Sequence, residues 1–176
     1  LNNLVGDFLD YGKPLRLNRR ESDLGGIVQD VIALVSAKAE KDSIRIQYVD
    51  EGIPRLMVDP ELIKTCVFNI ILNAFQAMPS GGELIITSRI SQNKAMLVFE
   101  DTGIGVSREN LPKLFDPFFS TKTTGLGLGL AMTSRVIEEH GGKVDFQSTE
   151  GRGSTVTLYL PIETTNQAAR DYLNVA

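Results

Sequence analysis

Two side-chain amides, Asn69 and Asn73, are the first residues whose types and spacing suggest a chemical role. They lie four positions apart in a predicted helix, so they share one face of that helix. Because Mg²⁺ prefers oxygen ligands and usually keeps several waters, one amide oxygen together with phosphate oxygens would hold the ion. Taken alone, the pair is more typical of an ordinary solvated helix face.

A carboxylate, Asp101, begins the segment DTGIG (101–105) at the end of a predicted strand. A carboxylate fixed at this position accepts a hydrogen bond from an exocyclic amine, and Gly103 and Gly105 allow a flat ring close to the backbone. Adenine offers such an amine, whereas guanine would leave the carboxylate unpaired at a cost of about 1–3 kcal/mol. A glycine-rich turn without a ligand is the other interpretation.

A long loop, FDPFFSTK (115–122), precedes GLGLGL (125–130) at a predicted helix start. Backbone N–H groups at a helix start suit a phosphate, and Lys122 adds a positive charge. Leu130 and Met132 stand where the dinucleotide fingerprint requires glycine, and no Gly-Lys-Ser/Thr P-loop occurs. A flexible loop before a glycine-rich helix is the alternative. Three phenylalanines could anchor the loop as a lid: Phe115, Phe118 and Phe119.

Alternating helices and strands must position these groups. We predict helices from Ser22 or Asp23 to about Lys41, from the start signal Asp59-Pro60-Glu61 to about Met78, and from about Leu126 to Glu139. The predicted strands are 44–50, 55–59, 82–90, 94–101, 143–149 and 154–161. Hairpins mixed with helix–strand alternation predict an α/β (α+β) two-layer sandwich, a mixed sheet with helices on one face. The loop 102–124, with a short helical piece at 108–114, is long enough to suggest a function.

Composition excludes several classes of protein. The chain has 176 residues, of which 42% are hydrophobic and 23% charged, as in a soluble globular domain. We expect neither a membrane span nor a signal peptide. The net charge of −4 without a Lys/Arg run argues against nucleic-acid binding. A single Cys66 allows no internal disulfide, and one histidine with one cysteine argues against the usual zinc sites.

The two ends of the chain differ from the region between them. In residues 1–14, apolar side chains are spaced 3, 4 and 3 apart, as in a helical bundle, and Pro14 ends the pattern. A helix this short is unstable alone, so we expect it to be the end of a longer one. Residues 15–161 form the predicted domain, and 162–176 are a polar tail.

The order of these segments resembles that of the sensor histidine kinases. NIILNAFQA (69–77) is similar to their N box, DTGIG to the G1 box, FDPFF to the F box and GLGLGL to the G2 box. The resemblance covers roughly residues 15–161. NAFQAMPSGG and PFFSTK are closest in style to nitrogen-regulation-type kinases.

This resemblance implies the Bergerat ATP-binding fold, shared with gyrase and heat-shock chaperone ATPases, and the ligands ATP and Mg²⁺. It implies that Asn73 coordinates Mg²⁺, that Asp101 holds the adenine amine, and that Lys122 approaches the terminal phosphates. Gly103 and Gly105 would give the base room, and Ser154 or Thr155 would reach it through water. The segment implied to cradle the phosphates is Gly125, Leu126, Gly127, Leu128 and Gly129.

Asn69 separates kinases from the ATPase relatives, which have a glutamate there to activate water. Because an amide cannot act as that base, the resemblance implies that ATP is kept for another acceptor. A Bergerat-fold ATPase and a nonenzymatic nucleotide-sensing module are the alternatives. Two departures from the family pattern are Gln76, where many members have a basic residue, and Leu126, where a small hydroxyl residue is usual.

The family phosphorylates a histidine in a separate helical hairpin. The single histidine, His140, lies in EEHGG near a helix end, without the acidic residue that follows a phosphoacceptor, so we expect it to be structural. The implied partners are the chain's own dimerisation and phosphoacceptor domain, upstream of residue 15, and the receiver domain of a response regulator. We expect the parent protein to be a homodimer with this part in the cytoplasm, and the present chain to be monomeric.

Overall fold

Three helices and seven strands make up the part of the chain that the computed structural model describes, residues 15–120 and 127–162. The strands are β1 (Arg20–Ser22), β2 (Ile44–Asp50), β3 (Leu56–Val58), β4 (Gly82–Ser91), β5 (Lys94–Asp101), β6 (Lys143–Thr149) and β7 (Gly153–Pro161). The helices are α1 (Leu24–Lys41), α2 (Pro60–Ala77) and α3 (Gly129–Glu139), with a short 3-10 helix at Leu111–Lys113.

Five of the strands form one mixed sheet in the order β2-β4-β5-β7-β6. β2 pairs in parallel with β4, and the other three pairings are antiparallel. β1 and β3 form a separate antiparallel pair. The helices lie on one face of the large sheet, which confirms the predicted two-layer α/β sandwich.

The core lies between the sheet and the helical layer, with α2 in contact with both α1 and α3. Side chains alternate across a strand, so every second residue of the central strand β5 faces the helices. Those residues are Ala95, Leu97 and Phe99, all almost fully buried. The α2 residues in the same core are Ile63, Cys66, Val67, Ile70, Ile71, Ala74 and Phe75.

Helix α2 begins where the sequence predicts. The Asp59 carboxylate caps it by accepting hydrogen bonds from the backbone N–H groups of Glu61 at 3.2 Å and Leu62 at 3.1 Å. Pro60 is the first helical residue, where its missing N–H costs nothing. Burial opposes ionisation of Asp59, but these bonds, with a third from Asn18, hold the pKa of its carboxyl below the usual value.

Some local predictions differ from the structure. The three-residue strand β1 was not predicted, since its polar sequence, Arg-Glu-Ser, has no recognisable strand pattern. Asp23 occupies the N-cap position of α1, but its side chain makes no capping hydrogen bond. α3 begins at Gly129, later than the predicted start, which itself lies outside the described residues.

The 3-10 helix falls inside the predicted helical piece at 108–114. The helix end predicted at 1–14 and the tail beyond residue 162 lie outside the described residues. No helix in the described ranges, 15–120 and 127–162, has both the length and the apolar character needed to cross a bilayer.

Candidate functional site

One face of α2 forms the floor of the candidate site. Asn69, Asn73 and Ala77 lie one turn apart on it and are half-buried. At 1.5 Å per residue, the row extends about 12 Å along the helix axis. Each end of the row contacts a different segment of the predicted site, so α2 connects them.

The Ala77 end of this row meets the segment that follows β5. The backbone N–H of Ile104 donates to the carbonyl oxygen of Ala77 at 2.8 Å. The backbone N–H of Gly103 donates to Oδ1 of Asp101 at 2.8 Å, which fixes the orientation of the carboxylate. Asp101 ends β5, as the sequence predicted, and its carboxylate is held beside the last turn of α2.

The glycines of this segment are required by the protein's own backbone. A Cβ atom at Gly103 would overlap the carbonyl group of Ala77, and one at Gly105 would overlap that of Thr149. Gly105 also has φ of +65°, which side chains with a Cβ rarely adopt. Close packing of three backbone segments thus requires glycine at both positions, whether or not a ligand binds there.

The two hydroxyl residues on β7 lie on opposite faces of the sheet. Ser154 is paired with Asp101 across the β5–β7 ladder and faces the helices, whereas Thr155 is paired with Glu100 and faces away. The structure therefore brings Ser154, and not Thr155, together with Asp101.

Ser148 on β6 supports this corner of the site, and sequence reasoning missed it. Its Oγ accepts a hydrogen bond from the backbone N–H of Val106 at 2.8 Å and donates to the carbonyl oxygen of Gly153 at 2.8 Å. It also lies 3.1 Å from Oγ of Ser154. One serine in a polar strand carries no local signal, because its partners come from segments that lie far apart in the sequence.

The Asn69 end of the α2 row meets the start of α3. A Cβ atom added at Gly129 would lie 3.7 Å from Cγ of Asn69, in ordinary contact. Gly127 has φ of +67° and lies against the carbonyl of Phe119 so closely that a Cβ would overlap it. Leu128 occupies the N-cap position, and the first N–H groups of a helix lack intrahelical partners. Lys122, Gly125 and Leu126 lie outside the described residues.

Phe115 anchors the predicted lid. The ring of Phe115 packs edge-on against that of Phe146 on β6, with 6.5 Å between centroids. Phe118 is about half exposed, at 51%, and has φ of +67°, an uncommon conformation for a bulky residue. Phe119 contacts Gly127 through its backbone.

His140 lies at the far end of α3 and is buried, as expected for a structural residue. The backbone N–H of Asp59 donates to its Nε2 at 2.9 Å. Nδ1 therefore carries the proton of the neutral ring and donates to the carbonyl oxygen of Val136 at 2.7 Å. An open cleft of about 480 Å³ beside His140 has both basic and acidic residues in its lining, such as Arg135 and Glu138, and is separate from the α2 row.

The side-chain oxygens of this site fit a magnesium ion that is also coordinated by a bound phosphate compound. Within residues 15–120 and 127–162, no cluster of three histidine, cysteine, aspartate or glutamate residues could hold a metal. The row on α2 instead offers neutral amide oxygens from Asn69 and Asn73. Such a set suits Mg²⁺ only if phosphate oxygens and waters complete its coordination.

The chain is similar to known histidine kinases both in sequence and in fold. Residues 58–164 match the family described as histidine kinase-, DNA gyrase B- and HSP90-like ATPase. The chain is 33% identical over 168 residues to the sensor histidine kinase ZraS of Escherichia coli K12, covering 95% of this chain and 36% of that protein. It therefore spans about a third of the length of that relative.

Two solved structures share its fold. Full-length ShkA in complex with AMPPNP superimposes with a TM-score of 0.83 and 25% identity, covering 93% of this chain and 36% of ShkA. Histidine kinase ThkA, in its complex with the response regulator protein TrrA, superimposes with a TM-score of 0.78 and 27% identity. That match covers 91% of this chain and 46% of ThkA.

Proposed function

This chain belongs to the family of histidine kinase-, DNA gyrase B- and HSP90-like ATPases, and we propose that it is the ATP-binding catalytic part of a sensor histidine kinase. It binds Mg·ATP and transfers the γ-phosphoryl group to a histidine outside residues 15–161. The relatives named as sensor histidine kinases and the AMPPNP complex of a structural neighbour support this proposal.

One observation carries the proposal: α2 joins two sites with complementary chemistry. At its Ala77 end, the fixed Asp101 carboxylate suits the exocyclic amine of adenine, with Ser154 on the same face. At its Asn69 end, the glycine-rich start of α3 suits phosphates. Asn73 lies between the two, where a metal ion bound to the phosphate tail would meet an amide oxygen.

This chain forms no covalent bond in the proposed reaction. Phosphoryl transfer depends mainly on positioning the reacting groups and on neutralising the negative charge of the phosphates. Asn73 would hold the metal ion, and the N–H groups near Gly127 and Gly129 would bind the phosphates. Lys122, which lies outside the described residues, would add positive charge there. When bound, Mg²⁺ supplies the compensating charge. Asn69 cannot accept a proton from water, so attack by water is slow and ATP survives until an acceptor imidazole approaches.

The proposed transfer requires a histidine that accepts the phosphoryl group and a second protein that receives it from that histidine. We infer that a dimerisation and phosphoacceptor hairpin supplies the histidine and makes the parent a homodimer. The receiver domain of a response regulator then takes the phosphoryl group, which the ThkA–TrrA complex supports. The ATP-binding part works in the cytoplasm, where ATP is present.

Reconstitution tests this function. The 176-residue chain and the parent's phosphoacceptor hairpin are mixed with Mg²⁺ and ATP labelled at the γ-phosphate. We expect acid-labile phosphohistidine on the hairpin, none on this chain, and little free phosphate when the hairpin is omitted. Rapid phosphate release without the hairpin would favour an ATPase, and nucleotide binding without transfer or hydrolysis would favour a sensing module.

A further inference from the structure

A polar pair is buried between α2 and α3, close to the glycine-rich turn. Thr133 on α3 is fully buried, and Cys66 on α2 is 1% exposed. The buried residues around them on the two helices are apolar: Ile63, Val67, Ile70, Val136 and Ile137. A hydroxyl in such surroundings needs hydrogen-bond partners, so the partners of Thr133 indicate what it holds in place.

Thr133 holds the first residue of α3. Its Oγ1 donates to the carbonyl oxygen of Gly129 at 2.8 Å, one turn earlier in the helix. This bond to the preceding turn is known to bend helices slightly, and here it acts on the turn that begins the helix. The orientation of the Gly129 peptide therefore depends on a side chain that does not itself reach the site.

The same hydroxyl connects this turn to α2. The Thr133 side chain also lies close to the thiol of Cys66 on the facing helix. Cys66 precedes Asn69 by three residues, and Gly129 lies beside Asn69, so that an added Cβ would contact its amide group. Thr133 and Gly129 of α3 therefore lie against two residues of α2, Cys66 and Asn69, that are one helical turn apart.

We propose that Thr133 is a positioning residue for phosphate binding, whose hydroxyl fixes the N-terminal turn of α3 against the amide-bearing face of α2. This inference rests on the proposed function. Adenine recognition at Asp101 lies at the other end of α2 and does not depend on Thr133. The hydroxyl therefore affects the phosphate tail of the ligand and leaves the binding of the base unchanged.

The test compares Mg·ATP with adenosine, which lacks phosphates, by NMR titration of the 176-residue chain. Thr133→Val removes the hydroxyl and keeps the shape. We expect Mg·ATP to bind about three- to tenfold more weakly, the scale of one hydrogen bond, while adenosine affinity stays within about twofold of the original. Thr133→Ser retains the hydroxyl and restores ATP affinity. Ser134→Ala is the matched control, since it removes a neighbouring hydroxyl that bonds Glu138.

Unchanged Mg·ATP affinity in Thr133→Val, or equal losses for ATP and adenosine, would overturn the inference alone. If Thr133→Val lacks a native spectrum, Thr133→Ala replaces it, because Ala and Ser differ only by the hydroxyl. A native spectrum for Thr133→Ser but for neither hydroxyl-free variant would assign Thr133 a purely structural role and overturn the inference. Failure of the unmodified chain to bind Mg·ATP would overturn both this inference and the proposed function.

Discussion

Asp101 at the end of β5 lies directly opposite Ser154 on β7, and both face the helical layer. The backbone N–H of Gly103 fixes one carboxylate oxygen of Asp101, and Ser148 lies next to Ser154 on the neighbouring strand. A carboxylate and a hydroxyl are thus held side by side on rigid strands. Rigid strands suit recognition of one base, because neither group must be ordered when the ligand binds.

Asp101→Asn should lower ATP affinity by about tenfold or more, within the range for an unpaired buried polar group. The N–H of Gly103 keeps an oxygen on its side of the new amide, so the NH₂ group takes the other position and opposes the adenine amine. Isothermal titration with ATP and GTP measures the effect, and we expect preference for ATP to fall.

The control is Asp30→Asn, which removes an exposed carboxylate paired with Lys64 on the outside of the helical layer. It should bind both nucleotides as the unmodified chain does. Unchanged ATP affinity in a folded Asp101→Asn variant would exclude the proposed contact with adenine.

Asn73→Ala should weaken ATP binding in Mg²⁺ more than in EDTA, because the amide acts through the metal. We expect a loss of about tenfold in Mg²⁺ and less than about twofold without it, the difference being one charge-assisted contact. Thr65→Ala, on the exposed side of α2, is the control. Equal losses under both conditions would remove Asn73 from the metal site.

The sequence predicted those parts of the fold that depend on local chemistry. Asp59 and Pro60 define the start of α2 without help from the rest of the chain. The row from Asn69 to Ala77 follows from helical spacing alone. The segment DTGIG was placed correctly at a strand end because β5 has a continuous apolar pattern.

The remaining features depend on contacts between distant residues, which no local pattern reveals. The bond between Asp59 and His140 joins residues 81 positions apart. Gly103 is a glycine because Ala77, 26 positions earlier, occupies the space of its side chain. The choice between Ser154 and Thr155 needed the register of β7 against β5, and a shift of one residue would have reversed it.

Asp59→Asn should reduce the dependence of stability on acid pH. Because the folded state lowers the pKa of the Asp59 carboxyl, ionisation stabilises the fold above the usual carboxyl pKa, and this stabilisation is lost as the pH falls through the lowered value. The variant has no such titration. We also expect it to be less stable at pH 7 by about 0.5–1 kcal/mol, from the lost charge at the helix N-terminus.

Urea unfolding between pH 7 and pH 3 measures both effects, with Asp30→Asn as the exposed control. A variant whose free energy of unfolding follows pH as steeply as that of the unmodified chain would show that the cap does not depend on charge.

Cys66 should be unreactive in the folded protein. Burial raises the pKa of its thiol to about 12, although the nearby Thr133 hydroxyl opposes this shift. At pH 8 the folded thiol is therefore protonated and inaccessible, and maleimide labelling should be about 100-fold slower than in urea, as expected for exchange through opening of the fold. Labelling of the native chain as fast as in urea would contradict the packing described for α2 and α3.

The same shift predicts sensitivity to alkali. A raised thiol pKa stabilises the folded state fully below the ordinary thiol pKa, and the stabilisation is lost as the pH rises toward 12. Cys66→Ala should flatten this part of the stability curve. An unchanged alkaline slope would assign the loss of stability to other groups.

We expect one nucleotide to lie along α2, from Asp101 to the start of α3. Titrating the ¹⁵N-labelled chain with AMPPNP and Mg²⁺ tests it most directly. The backbone amides of Gly103 and Gly129 and the side-chain amide of Asn73 should shift together, with one dissociation constant. Shifts confined to the cleft beside Arg135 and His140, or no shifts at saturating ligand, would contradict it.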